Sequence, residues 1–235
     1  MDASRTLGVA RLGAVDYARA LELQQTMVAA RTAGTIGDVL TLLEHPHVFT
    51  LGRGADERFL THRLPGVPIH RVSRGGQVTY HGPGQLIAYP ILRLDGPERD
   101  VTRYLRKLEA VMIAALARAG IAAGRRAGMT GVWVGPRKLA SIGVGIRRWI
   151  TLHGFALNVT TDLAYFDAIV PCGIAGCQMT SVAREGRPDL SVARVADLIA
   201  QAFADEFGYA AIAPTPAASL WDLLESTADG CEAQK

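Results

Sequence analysis

The chain has 235 residues, 49% of them apolar, and 25 Lys and Arg against 22 Asp and Glu leave a formal net charge of +3. That length and composition suit one globular domain with a real core, or at most two small ones. No apolar run is long enough to span a bilayer, and the N-terminal Met1-Asp2-Ala3-Ser4-Arg5 lacks the basic-then-apolar pattern of a secretory signal, so the cytoplasm is the expected compartment and no membrane contact is expected.

Residues 15–32 read as an amphipathic helix, with Val15, Ala18, Leu21, Met27 and Val28 on or near one face and Gly34 as its stop. Residues 39–43 read as a buried strand, followed by a turn at His45-Pro46-His47 and a short strand at 48–51. His45 and His47 have no third ligand near in sequence and read as turn-bordering residues rather than a metal pair. Strands at 69–72 and 85–94 flank a glycine-rich segment. The clearest helix covers 100–119, where Val101, Leu105, Leu108, Met112, Ala115 and Leu116 recur at helical spacing before Gly120. Strands at 130–135, 138–147 and 150–159 form a meander, which favours antiparallel pairing. A last long helix covers 191–207 with Ser191 as N-cap, and the final ten or so residues read as a frayed tail. The pattern predicts an α+β fold, a mixed sheet covered by helices on one side.

Three features carry the chemistry. The first is Arg74-Gly75-Gly76-Gln77-Val78-Thr79-Tyr80-His81-Gly82-Pro83-Gly84-Gln85, a polar, glycine-rich loop between apolar strands. A chain gives up backbone order in this way where its backbone must approach a ligand closely, although a long surface turn has the same composition. The second is Cys172, set on the bent backbone of Pro171-Cys172-Gly173, a setting that presents a thiol rather than burying it. Cys177 is a weaker candidate and Cys231 lies in the tail. Three cysteines are too few for a disulfide framework, and C-x4-C without a histidine set does not read as structural zinc. The third is Lys138. The basic residues are 22 Arg and only three Lys, and Lys138 enters an apolar strand, Leu139-Ala140-Ser141-Ile142-Gly143. A free thiol is only a few per cent thiolate at neutral pH, about 4 Å from a cation the attraction is roughly 4 kcal/mol at an effective dielectric near 20, and this favours the thiolate before desolvation takes some back. An ammonium therefore suffices to activate a cysteine; His81 and His153 are the rival partners for a Cys–His pair.

Arginine clusters at 103–107, 125–126 and 137–148 read as solvated surface or as a face for acidic protein partners. No nucleic-acid motif accompanies them, and neither a Walker sequence nor G-x-G-x-x-G occurs, so nucleic acid, ATP and dinucleotides are not expected.

The loop 74–85, Lys138-Leu139-Ala140-Ser141-Ile142-Gly143, His153-Gly154-Phe155-Ala156-Leu157-Asn158 and Pro171-Cys172-Gly173-Ile174 with Thr180-Ser181, in that order, resemble the lipoyl(octanoyl) transferases of lipoate biosynthesis over roughly residues 10–210. The resemblance implies the fold of the biotin and lipoate protein ligases, a mixed, largely antiparallel sheet with surrounding helices, with a catalytic domain at 6–213 and a partly frayed tail at 214–235. It implies transfer of an octanoyl or lipoyl group from acyl carrier protein to a lysine of the lipoyl domains of 2-oxoacid dehydrogenases and the glycine cleavage system, through an acyl-thioester on Cys172 with Lys138 lowering the thiol's pKa and serving as acid/base. It places the acyl group against Arg74, Gly75, Gly76, Gln77, Val78, Thr79, Tyr80 and His81, against Ser141, Ile142 and Gly143, and against Gly154, Phe155 and Ala156. No cofactor or metal is expected, and a monomer is. The alternatives are an ATP-dependent lipoate or biotin ligase on the same fold and a non-catalytic acyl-binding protein.

Overall fold

The computed structural model describes residues 5–174 and 176–232, except the side chains of Cys172 and of residues 228–232. Its main sheet has eight strands in the order β11-β1-β2-β6-β10-β9-β8-β7. The antiparallel part runs through β2 (Val39–Glu44), β6 (Gln85–Ile91), β10 (Ile150–Asn158), β9 (Arg137–Arg147), β8 (Met129–Val134) and β7 (Gly124–Arg126). The β9–β10 hairpin closes through Arg148 and Trp149 at φ 49° and 62°, the two positive-φ positions that a tight right-twisted hairpin requires. At the other edge β1 (Thr6–Ala14) pairs parallel with both β2 and β11 (Ala211–Pro214). A separate three-stranded sheet sets β3 (Val48–Leu51) between β4 (Ile69–Arg71) and β5 (Val78–His81).

The helices begin where short polar side chains can take up free backbone N–H groups. Asp16 accepts from Ala18 and Arg19 ahead of α1 (Tyr17–Ala33), and Gly34, at φ 80°, closes it. Asp100 accepts from Arg103 ahead of α2 (Val101–Arg118), and Ser191 from Arg194 ahead of α3 (Val192–Phe207). Helices α2 and α3 cover one face of the sheet, where Leu108, Met112, Ile199 and Phe203 meet Leu40, Leu86, Phe155 and Leu157. Helix α1 covers the other, with Leu23, Met27 and Val28 against Val39, Ile91 and Leu152. The helices therefore lie on both faces, not on one, because β2, β6 and β10 are buried along both sides.

The segment expected as a tail carries a further helix, α4 (Ala217–Glu232), whose Leu220 and Trp221 pack against the α1 face. Strand β1 had no clear signal because Gly8, Arg11 and Gly13 interrupt its alternation. Gly8 is required by closeness: a Cβ there would lie 2.6 Å from Thr215 Oγ1. Among the described residues no helix is long and apolar enough to cross a membrane.

Candidate active site

In an antiparallel sheet, residues directly opposite one another point to the same face. Ile87, Ala156 and Ser141 are such a row across β6, β10 and β9, and Gly154 opposite Gly143 begins the next. The small residues leave a trough in the sheet. A Cβ on Gly154 would fall 2.1 Å from Ala88 O, and one on Gly143 would fall 2.9 Å from Arg74 Cδ and 3.2 Å from Gly75 O. The glycine-rich loop thus lies directly on β9, tied by the Gly75 N–H donating to Val144 O at 3.0 Å. Between loop and sheet is a cavity of about 590 Å³.

Arg74 pegs this roof. Its buried guanidinium donates to Thr50 O at 2.6 Å, Thr50 Oγ1 at 2.8 Å, Gly75 O at 3.0 Å and Gln77 O at 2.9 Å. Behind it a chain of buried polar groups crosses the sheet. His81 Nδ1 lies 2.8 Å from Gln85 Oε1 and Nε2 lies 3.4 Å from Thr50 Oγ1; Gln85 Nε2 donates to Asn158 Oδ1 at 2.9 Å, and Asn158 Nδ2 to Thr180 O at 2.9 Å. Burial pushes His81 down to about 3, with the neighbouring His45 adding to the shift, so the ring is neutral and its Nδ1–H is the donor to Gln85.

Lys138 is only 1% exposed and lines the cavity. Its backbone is held on both sides: the N–H donates to Gln178 O at 2.8 Å, and the carbonyl accepts from Thr180 N–H at 2.9 Å. Glu185 clamps this junction, accepting two hydrogen bonds of 2.8 Å from Arg137 and one of 2.6 Å from the Thr180 hydroxyl. The Lys138 Nζ lies 5.3 Å from the Trp133 ring centroid, and a Cβ on Gly131 would fall 2.9 Å from its Cε. Gly131 is in turn held by Glu109, a fully buried carboxylate that accepts from the Gly131 N–H, Arg106 and Arg125.

Cys172 belongs to the short turn Pro171–Gly173, with Gly173 at φ 70°; its side chain lies outside the described residues. Ile174, two residues on, lines the same cavity as Lys138. It also lines a wider cleft of about 1150 Å³, with Arg137, Asp167, Met179 and Arg184. The cleft is lined by neither Lys138 nor the glycine loop.

Of the residues named from sequence, Arg74, Gly75, Gly76, Gln77, Val78, Thr79, His81, Ser141, Ile142, Gly143, Gly154, Phe155 and Ala156 all line the cavity. Tyr80 does not. Its ring lies instead in an apolar cluster with Phe49 and Phe166, where it stacks on Tyr165 at 4.8 Å and its hydroxyl meets His47 Nδ1 at 2.8 Å. The sequence reading missed Tyr17, Ile87, Tyr89, Val101, Leu105 and Met129, which also line the cavity. Each sits in an ordinary apolar helix or strand pattern that gives no local sign of a ligand. His45 is a satisfied core histidine, its Nδ1 2.7 Å from Val15 O and Nε2 2.7 Å from Tyr89 OH. Among the described residues, no group of three or more His, Cys, Asp or Glu could hold a metal ion.

The fold is that of the lipoate protein ligases: a solved lipoate-protein ligase A bound with ATP matches it with a TM-score of 0.70, covering 96% of this chain and 94% of that one at 15% identity. The chain is 50% identical over 193 residues to the octanoyltransferase of Geobacter sulfurreducens, covering 82% of this chain and 81% of that one. It is 54% identical over 181 residues to the octanoyltransferase of Solibacter usitatus, covering 75% and 82%. The family model described as the lipoyl protein ligase A/B catalytic domain matches residues 16–204, and the chain belongs to that family, among its octanoyltransferases. It is an acyltransferase, and the ligase alternative is the weaker reading.

Proposed function

We propose that this chain moves an octanoyl group from acyl carrier protein to a lysine of lipoyl domains, in the cytoplasm and as a monomer, with residues 6–213 as the catalytic unit. The observation that carries the reading is Lys138: a buried lysine on the wall of a glycine-floored trough, sharing that trough with Ile174 just past Cys172. The Cys172 thiolate attacks the donor's thioester carbonyl; a new C–S bond forms, the carrier's C–S bond breaks, and the carrier thiolate leaves as a thiol with the proton of the Lys138 ammonium, which becomes a neutral amine. The acceptor amine then attacks the Cys172 thioester, the amide forms, and the cysteine leaves as thiolate while Lys138 takes the proton that the amine gives up. The donor is already activated, so no nucleotide enters the reaction.

The trough suits the acyl chain. Seven carbons beyond the carbonyl, at about 0.8 kcal/mol each, gain roughly 5–6 kcal/mol on leaving water. The arginines read as a docking face are partly neutralised: Arg103 and Lys107 pair with Glu98, Arg106 and Arg125 with Glu109, and Arg137 with Glu185.

Intact-protein mass spectrometry after mixing with octanoyl-acyl carrier protein tests the proposal. The wild type is expected to gain one octanoyl mass, lose it to an added lipoyl domain, and show neither event as Cys172→Ala. Turnover without an adduct, or an active Cys172→Ala, sinks the thioester mechanism.

A further inference from the structure

A second space borders the turn that carries Cys172. Pro171 and Ile174, on either side of Cys172-Gly173, line the cleft of about 1150 Å³, and Ile174 lines the acyl cavity as well. Cleft and cavity also meet along one strip of chain. Gln178 and Met179 line the cleft. Gln178 O accepts from the Lys138 N–H at 2.8 Å, and Met179 bridges to Lys138 in parallel register, while Lys138 itself lines the cavity.

The cleft combines apolar wall with unspent polar groups. Phe166, Ile169 and Met179 line it and are otherwise buried. Glu185 is taken up by Arg137. Arg184 and Asp167 are exposed and, among the described residues, form no salt bridge; Gln178 is exposed beside them on the lining. A guanidinium, a carboxylate and a side-chain amide together offer donors and acceptors with no net charge. Apolar wall with a few such groups suits a neutral, amide-bearing chain, and pockets of about 300–1,000 Å³ hold ligands far larger than a single side chain.

The reaction supplies a chain of that kind. A thioester has two arms that diverge from its carbonyl carbon, and the acyl arm has the trough. The sulfur arm of the carrier is pantetheine, with two amides and a dimethyl carbon; its twelve bonds from sulfur to terminal oxygen extend about 13–14 Å. The acceptor's lysine is a poorer match for so large a cleft, because five bonds from Cα to Nζ reach only about 6 Å.

We infer that this cleft takes the pantetheine arm of the acyl carrier protein, its apolar part against Phe166, Ile169 and Met179 and its amides answered by Gln178, Arg184 and Asp167. The inference rests on the acyl-transfer reading above and names how the donor's other half is held.

The test is single-turnover loading, read by intact mass at equal, subsaturating concentrations, from the octanoyl thioesters of acyl carrier protein, of pantetheine and of N-acetylcysteamine, which keeps only the first amide of the arm. Wild type is expected to load from octanoyl-pantetheine at least tenfold faster than from octanoyl-N-acetylcysteamine. Two variants put an indole on the cleft from different segments, Ala164→Trp and Arg184→Trp, both at exposed lining positions. At least one is expected to abolish the pantetheine advantage and slow carrier loading about tenfold, with the N-acetylcysteamine rate unchanged as the sign of an intact fold. Equal loading from the two small thioesters in wild type overturns the inference, whatever the variants do. So does a full pantetheine advantage in both variants. Variants that load normally but pass the octanoyl group to a lipoyl domain more slowly would give the cleft to the acceptor and overturn it too. No loading from any of the three donors overturns the acyl-transfer reading instead.

Discussion

The two faces of one sheet are built by different rules. Towards α2 and α3 the strands present Leu42, Leu86, Phe155 and Leu157, and the contact with Leu108, Met112 and Phe203 is close apolar filling. Around the cavity, order is kept by directed bonds instead: Arg74 to the carbonyls of Thr50, Gly75 and Gln77, and His81, Gln85 and Asn158 in line to Thr180. An apolar face is non-directional and absorbs a deletion as a void. A polar one fixes the position of each group, and losing one partner strands the others unsatisfied. The cavity side has the more fragile but more exact construction.

The sharpest test sets Arg74→Met against Leu108→Ala. Leu108 is fully buried, and its truncation should cost about 2–5 kcal/mol. Arg74→Met leaves the carbonyls of Thr50, Gly75 and Gln77 without their donor and should cost about 3–5 kcal/mol. Urea melts measure both. Single-turnover octanoyl loading of the folded protein should separate them: near wild-type for Leu108→Ala, slowed at least tenfold for Arg74→Met, whose roof is no longer held. Equal loading by the two variants would break the distinction between the faces.

Acid should also act first on three buried histidines, two of which line the cavity. His45, His81 and His153 are pushed by burial to about 4, 3 and 4, against about 6.5 in an unfolded chain. Between those values the unfolded chain binds protons that the folded chain refuses. The stability these three contribute is therefore complete above pH 6.5 and is lost as the pH falls from there towards 4, by up to about 1.4 kcal/mol per pH unit for each ring. From pH 7.5 to 5.5 the loss should be about 4 kcal/mol. The contribution of Asp38 is lost in the same direction but in a lower window. Burial pushes its carboxyl up, but hydrogen bonds from the Arg93 N–H, Arg31, Arg5 and Tyr209 outweigh this and hold it low, so its contribution survives through that window and fails only in stronger acid. Unfolding free energies that stay flat from pH 7.5 to 5.5 would contradict the neutral histidines.

The same contrast explains what could be read from sequence. The helices over the apolar face were legible because Leu105, Leu108, Met112 and Leu116 repeat at the helical period, and the loop 74–85 because glycine and proline mark backbone that must turn or yield space. Lys138 stood out through its rarity and its apolar strand. Three things left no local trace. Strand β1 pairs parallel with β2 and β11, elements about 30 and 200 residues distant, through backbone that needs no side-chain pattern. Tyr17 and Tyr89 become cavity wall only when α1 and β6 meet. The partners of Gln85, Asn158 and Glu185 are fixed by tertiary contact, and a lone glutamine or glutamate in sequence does not say what it will hold.

The smallest expected effect tests the link between the clamp and the chemistry. Glu185 is held low by its bond to Arg137 and the Thr180 hydroxyl, against the opposing pull of burial. Arg137 is 41% exposed, so solvent weakens the pair, and Glu185→Gln should cost no more than about 1 kcal/mol of stability. The glutamine keeps one oxygen for Thr180 or Arg137 but cannot serve both arms of the guanidinium with acceptors. The segment Gln178–Thr180, bonded to both sides of Lys138, is then less firmly seated. Octanoyl loading should slow by a few fold while the affinity for the acyl chain stays unchanged, because the trough floor of Ser141, Gly143, Gly154 and Ala156 is untouched. A variant that loses chain affinity and keeps its loading rate would mean that the clamp shapes the cavity and does not act through the seating of Lys138.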